Sequence, residues 1–160
     1  LQLDLAKMQK ELGDEYIILL RTHYFIADVL DLSEYEGFAY NLSKYDDIAR
    51  LYLISDVLIT DYSSVFFDYA NLRRPMLFFT YDLEKYRSVL RGFYIDVEEE
   101  LPGPMLMTTD EVIGALQNIE NVVTEYSDKY TAFCDKYCAW EDGTAAKKVV
   151  ETVFSDKSNK

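Results

Sequence analysis

The stretch that most constrains this chain runs from Asp56 to Asn71. Val57-Leu58-Ile59 is a short apolar, β-branched run, Thr60 to Ser64 is polar, and Val65, Phe66, Tyr69 and Ala70 recur at helical spacing. Strand, tight turn and helix are expected in that order. A helix that begins directly after such a turn presents backbone N–H groups without intrahelical acceptors, together with the positive end of its dipole. Phosphate is the natural guest of that corner. Ser63 or Ser64 is placed to cap the helix, and either hydroxyl to donate to a phosphate oxygen. Asp68 follows one turn beyond Ser64 on the same face, a rise of roughly 5.4 Å, which suits a pyrophosphate at the turn and a ribose hydroxyl at the carboxylate. An ordinary capped connection with no ligand uses the same pattern.

The rest of the chain supplies similar alternation. Residues 3–13 predict a helix carrying Leu5, Met8 and Leu12, with Gly13 at its end. The run from Glu15 to Arg21 is apolar between charged ends and predicts a strand buried on both faces of a parallel sheet. It ends in Arg21-Thr22-His23, at the carboxyl end where such sheets gather ligand groups. Residues 24–32 suit a loop or a short helix. Residues 37–42 predict a short strand, and 43–47 a polar loop capping a helix over 48–55.

Beyond the central stretch, Arg73-Arg74-Pro75 breaks the helix, with the two arginines capping its end or facing solvent, and Met76 to Phe79 supplies another buried strand. A helix over 83–90 and a short strand over 92–97 are expected, with Gly92 either admitting a ligand to the backbone or starting the strand. Glu98-Glu99-Glu100 reads as a solvated acidic run and Pro102-Gly103-Pro104 as a turn. Thr109 is expected to cap a helix over 110–119 with a stripe of Val112, Ile113, Leu116 and Ile119. A long helix over 123–140 carries Tyr126, Tyr130, Phe133 and Tyr137 as a packing stripe. Gly143 marks a break, residues 144–154 form a last amphipathic helix, and 155–160 fray. Buried runs alternating with amphipathic helices predict a Rossmann-like, doubly wound α/β layer with a mainly parallel sheet, as a single domain over 1–160. A chain that opens inside a helix suggests a strand, and a partner domain, upstream.

Charge narrows the partners. The formal net charge is −13, which repels nucleic acid, so no nucleic-acid partner is expected. An anionic nucleotide would need a locally positive site, which singles out Arg21, His23, Arg73 and Arg74. The only cysteines, Cys134 and Cys138, fall on one helix with no second ligand pair, so both read as small buried apolar groups and no metal site is expected. No run approaches the roughly 18 apolar residues of a membrane span and no signal peptide opens the chain, so a soluble, intracellular domain is expected.

Three signatures carry a resemblance. They are Leu20-Arg21-Thr22-His23-Tyr24; the Asp56 to Ser64 turn with Asn71-Leu72-Arg73-Arg74-Pro75 and Phe78-Phe79-Thr80-Tyr81-Asp82; and Leu90-Arg91-Gly92-Phe93-Tyr94 with Pro102-Gly103-Pro104. With them the chain resembles the CDP-glycerol glycerophosphotransferase family of teichoic acid polymerases, most strongly from Tyr16 to Leu116. The resemblance implies the C-terminal, donor-binding half of a GT-B glycosyltransferase fold, its N-terminal acceptor domain lying outside this sequence. It implies transfer of glycerol phosphate or ribitol phosphate from a CDP-glycerol or related CDP-polyol donor to a growing teichoic acid, with no metal and no cofactor.

By the same resemblance, Ser63 and Ser64 hold the pyrophosphate, Asp68 accepts from the ribose, Tyr45-Asp46-Asp47 lies near the cytosine, and Arg21 and Thr22 line the site. His23 is the catalytic residue, stabilising charge on the departing CMP. A second histidine would come from the N-terminal domain, so the isolated chain is expected to be inactive. The whole enzyme is expected to be cytoplasmic, peripheral to the inner face of the cell membrane, with membrane contact made only through the full-length protein. Two other readings use the same residues: a GT-B glycosyltransferase or epimerase taking a UDP or GDP sugar, and a noncatalytic α/β module that receives a partner on its aromatic surface.

Overall fold

Four consecutive apolar residues, Met76 to Phe79, form strand β4, which is buried along its whole length. The layers arrange around it. The computed structural model describes residues 2–22, 30–83 and 96–154. Before β4 come helix α1 (Leu5–Leu12), strand β1 (Ile18–Leu20), a 3-10 turn (Ser33–Tyr35), β2 (Ala39–Asn41), α2 (Ile48–Ile54), β3 (Leu58–Thr60) and α3 (Val65–Ala70). After it come α4 (Val97–Glu100), β5 (Met105–Leu106), α5 (Thr109–Gln117), α6 (Ile119–Glu125), α7 (Ser127–Tyr137) and α8 (Ala145–Phe154).

Every strand pairing among the described residues is parallel: β1 with β2, then β3 with β4 and β4 with β5. Successive side chains on a strand point to opposite faces, and β4 uses both. Leu77 and Phe79 enter a core with Leu5, Met8 and Leu12 of α1 and Val112, Ile113 and Leu116 of α5. Met76 and Phe78 enter a second core with Phe66, Tyr69 and Ala70 of α3 and Phe133 and Cys134 of α7. Helices therefore cover both faces of a parallel sheet, the doubly wound α/β arrangement.

The expected single sheet is in fact two hydrogen-bonded sheets, of two and three strands. Side chains join them: Leu20, Phe38 and Ala39 of the smaller share one core with Leu77, Phe79 and Leu106 of the larger. The strand expected over residues 15–21 shrinks to three residues, and Ile17 is 60% exposed, so the apolar run is not buried on both faces throughout. Helices move as well. Thr108, not Thr109, caps α5, accepting from the Glu111 N–H while the Glu111 carboxylate accepts from the Thr108 N–H. Thr109 instead accepts from the Asp4 N–H at 3.1 Å and ties α1 to α5. The long helix expected over 123–140 is broken at Tyr126, whose backbone at φ −95° and ψ 5° leaves the helical region between α6 and α7.

The acidic run is not simply solvated. Glu100 accepts from both Lys136 Nζ and Tyr137 Oη at 2.6 Å, which ties α4 to α7. Residues 24–29, the helix expected over 83–90 beyond Leu83, the Leu90 to Tyr94 motif, all of the strand expected over 92–97 save its last two residues, and the tail over 155–160 lie outside the described residues.

The Pro102-Gly103-Pro104 turn passes so close to β4 that a Cβ on Gly103 would stand 2.0 Å from the Met76 carbonyl oxygen. Gly103→Ala is expected to cost about 1–3 kcal/mol by displacing that strand, read as a lowered midpoint in urea unfolding. The hydrogen bonds from Lys136 and Tyr137 hold the Glu100 carboxyl down to about 2 from its ordinary 4.5. A depressed carboxyl adds stability above its unfolded pKa and loses it as pH falls through the folded value. Melting temperature should therefore fall between about pH 4.5 and pH 2, and Glu100→Gln should make that fall shallower.

Candidate functional site

In parallel sheets, ligand groups collect where the carboxyl ends of strands meet loops. Three such ends bear the residues singled out by the sequence. After β1, the Arg21 guanidinium donates to the Tyr45 carbonyl, the Thr22 N–H donates to Ser43 Oγ at 3.0 Å, and the two hydroxyls of Thr22 and Ser43 lie 3.0 Å apart. The loop after β2 is thereby held against the end of β1. Its own turn is set by the Asn41 side chain, which accepts from the Ser43 N–H, and by the Tyr45 N–H donating to the Leu42 carbonyl. Arg21, Thr22, Tyr45 and Asp46, twenty and more residues apart in the chain, thus belong to one polar rim. Asp47 has a structural duty there, capping α2 through the Arg50 N–H at 3.3 Å.

The third end is the turn after β3. Asp61 accepts from the Ser63 N–H at 2.9 Å, closing an Asx turn. The Tyr62 hydroxyl donates to the Asp82 carboxylate at 2.9 Å and pins this turn to the one that follows β4. Burial and that carboxylate push the Tyr62 hydroxyl well above its ordinary pKa, so it remains a donor. Neither serine caps α3 with its side chain, contrary to the expectation: Ser64 sits at the first turn with helical dihedrals, φ −63° and ψ −2°, and its side-chain oxygen makes no capping bond. Capping needs extended backbone at that position. Both serines and Asp68 are exposed.

A buried hydroxyl relates the two rims. Tyr52, on α2, is held above its ordinary pKa first by burial and then by the Asp68 carboxylate, with Arg21 acting in the opposite sense. Charges from the end of β1 and from α3 therefore reach the same group. The helix that carries it is fastened at its carboxyl end: Arg74 Nη1 donates to the Leu53 carbonyl at 3.0 Å and to the Ser55 carbonyl at 2.6 Å, and Tyr69 Oη also donates to Ser55 O at 2.8 Å. Arg74 thus caps the preceding helix, α2, rather than the end of α3 as expected. Arg73 leaves α3 with a left-handed φ of 53°, which turns the chain back toward Pro75 and β4. An open, apolar depression of about 390 Å³ lies beside the rim, lined by Leu42, Tyr45, Arg50, Leu51, Leu53 and Ile54.

His23 and the Arg91-Gly92 motif lie outside the described residues. Among the described residues no group of three or more His, Cys, Asp or Glu side chains has the arrangement of a metal site. Cys134 is buried, with its thiol donating to the Ala70 carbonyl at 3.6 Å; burial pushes the Cys138 thiol up to about 11, away from thiolate chemistry. No helix among the described residues is long and apolar enough to cross a membrane. Tyr62 and Asp82 fall within the motifs quoted for the resemblance, but the bond between them is not among the expectations, and Tyr52 is not among the expected site residues. Nothing in the sequence separates Tyr52 from the other tyrosines, which number 14 in all.

Comparison with known proteins places this geometry. The fold is that of a GT-B-like glycosyltransferase: the chain superposes on a solved structure of the wall teichoic acid polymerase TagF with a TM-score of 0.89 at 47% identity, over 98% of this chain and 38% of that one. A variant of that polymerase soaked with CDPG gives the same TM-score. Residues 1–155 match the family described as CDP-glycerol:poly(glycerophosphate) glycerophosphotransferase, and the chain belongs to that family of transferases. It is 54% identical to the teichoic acid poly(glycerol phosphate) polymerase of Bacillus subtilis strain 168, over 96% of this chain and 21% of that protein. It is 39% identical to the teichoic acid poly(ribitol-phosphate) polymerase of Bacillus spizizenii strain W23, over 94% of this chain and 24% of that protein. The chain spans less than two fifths of the length of each of these relatives.

Because Arg74 makes two charge-assisted hydrogen bonds to the end of α2, Arg74→Ala is expected to lower stability by about 1.5–3 kcal/mol. Amide exchange should localise the loosening to residues 51–55.

Proposed function

We propose that this chain is the donor-binding domain of a two-domain glycerophosphotransferase and that CDP-glycerol, or a related CDP-polyol, is its ligand. The observation that carries the reading is the polar rim at the strand ends, where Arg21 and Thr22 after β1 are hydrogen-bonded to the loop after β2, and the Asp61–Ser63 turn after β3 leaves Ser63, Ser64 and Asp68 exposed. The family match over residues 1–155 and the likeness to a polymerase soaked with CDPG support it. The short span of the chain against its relatives supports the existence of a further, acceptor-binding domain in the working enzyme.

In this reading the hydroxyls of Ser63 and Ser64 and the amides that open α3 hold the pyrophosphate. The Ser63 N–H is already engaged by Asp61, so the contribution of that residue falls to its side chain. Asp68, exposed on the next turn, accepts from a ribose hydroxyl. Arg21 and Thr22 face the phosphates, and Tyr45 and Asp46, tied to Arg21 through the Tyr45 carbonyl, take the cytosine side. In the transfer itself an acceptor hydroxyl oxygen forms a new bond to the glycerol-bearing phosphorus as its bond to the bridging oxygen breaks and CMP leaves. His23 stabilises the charge that develops on CMP. The proton of the attacking hydroxyl goes to a base contributed by the other domain, so this chain alone binds donor without turnover. The whole enzyme works at the inner face of the membrane on a growing teichoic acid chain.

Calorimetric titration tests the binding half of this proposal. CDP-glycerol should bind the chain, UDP- and GDP-sugars should compete poorly, and Asp68→Ala should weaken CDP-glycerol by about tenfold or more, the loss of one charge-assisted hydrogen bond. Equal binding of all three nucleotides, or an Asp68→Ala variant as tight as the parent, would overturn it. For the catalytic half, His23→Ala in the two-domain enzyme should abolish release of CMP while leaving the melting temperature unchanged.

A further inference from the structure

We propose that Tyr62 is a positioning residue for the donor pyrophosphate: its hydrogen bond to Asp82 holds the turn after β3 so that the Ser63 and Ser64 hydroxyls stay aimed at the phosphate oxygens. The inference rests on the donor-binding reading above and adds to it a residue that acts through its neighbours rather than on the ligand.

The backbone ladder stops short of the site. The last residue of β3 in register with β4 is Thr60, opposite Phe78. Beyond it the turn residues have no ladder partners, and any backbone left loose there must be ordered when a ligand binds. Two consecutive side chains take over from the ladder. The Asp61 carboxylate accepts from the Ser63 N–H at 2.9 Å and closes the turn on itself. The Tyr62 hydroxyl donates to Asp82 at 2.9 Å and fastens that closed turn to the next strand end. Asp82 stands on fixed backbone: the Thr80 N–H donates to the Leu106 carbonyl at 2.8 Å, continuing the pairing of β4 with β5, and the Leu83 N–H donates to the Thr80 carbonyl at 3.1 Å, closing the turn that contains Asp82.

The rest of the fold does not depend on this bond. Helix α3 is already fixed by Phe66, Tyr69 and Ala70 in the core beneath it. A phenylalanine at position 62 would keep the ring of this half-buried side chain in place, so what the hydroxyl adds is the link to Asp82. The residues next in the chain are the two serines, both exposed, and neither is spent on capping α3. Tyr62 therefore acts on Ser63 across a single peptide unit, which is planar and stiff. Burial and the carboxylate keep the phenol protonated, a standing donor, and hydrogen bonds to carboxylates are the shorter and stronger kind. A turn held this way presents its hydroxyls without the ordering cost that a loose turn incurs on binding.

The test is a set of calorimetric titrations of the whole chain with CDP-glycerol. Tyr62→Phe and Asp82→Ala should each bind about 3–10-fold more weakly, the size of coupling found between residues in contact. Asp82→Asn keeps an acceptor oxygen for the phenol and should recover most of that loss. In a chain that carries Ser63→Ala and Ser64→Ala together, adding Tyr62→Phe should have little further effect, since the tyrosine acts through those hydroxyls; a merely structural loss would weaken binding by the same factor in either background. Parent-like binding by Tyr62→Phe, an Asp82→Asn variant as weak as Asp82→Ala, or losses that multiply in the serine background would each overturn the assignment. Failure of the parent itself to bind CDP-glycerol would overturn the donor-binding reading and this inference with it, an outcome distinct from the others because it does not involve Tyr62.

Discussion

Burial of β4 on both faces is the constraint on which the rest of this structure depends. Four apolar residues in a row satisfy neither a half-exposed strand nor a short surface helix, and they are stable only between two layers of side chains. Leu77 and Phe79 draw α1 and α5 onto one face, and Met76 and Phe78 draw α3 and α7 onto the other. Tight approach of the Gly103 turn to the Met76 carbonyl follows from the same demand, because β5 must come close enough to pair with a strand already enclosed. The polar turns that bear the candidate site are then left at the rim of a buried sheet, where their hydrogen bonds can be completed by neighbouring turns or by a ligand.

The site is stiffened by contacts that cross from one element to the next. Arg21 holds the loop after β2 through a backbone carbonyl, Tyr62 holds the turn after β3 to the turn after β4, and Arg74 with Tyr69 holds the end of α2. Each uses a long side chain to satisfy a group far away in sequence. Arrangements of this kind place side chains on a rigid frame while leaving Ser63, Ser64 and Asp68 exposed. In a chain of net charge −13, Arg21 places a cation at that rim.

Two apolar surfaces remain exposed at the margins. Val149, Val150, Val153 and Phe154 lie along one side of α8, between 54% and 77% exposed, and Leu53 and Ile54 lie beside the apolar depression next to Tyr45. The sequence reading identified the α8 stripe by its spacing, and the structure places none of α8 in either core.

Much of the fold was legible in the residues themselves. The β4 run, the α5 stripe of Val112, Ile113 and Leu116, and the strand–turn–helix around Ser63 and Ser64 each carry a periodicity that local chemistry sets, and each forms where expected. The misplacements are of another kind. The cap at Thr108 rather than Thr109, the break at Tyr126 and the short β1 depend on one residue of register or on which neighbour is present, and periodicity does not resolve either. By itself the sequence determined the class of fold, the family and the rim residues that bear recognisable motifs. Only the tertiary structure decided that Arg74 serves α2 instead of α3, that Asp61 occupies the Ser63 amide, and that the shielded Tyr52 hydroxyl has no hydrogen-bond partner among the described residues. Those facts concern who meets whom across the core, and no pattern along one strand or helix encodes the partner that packing brings to it.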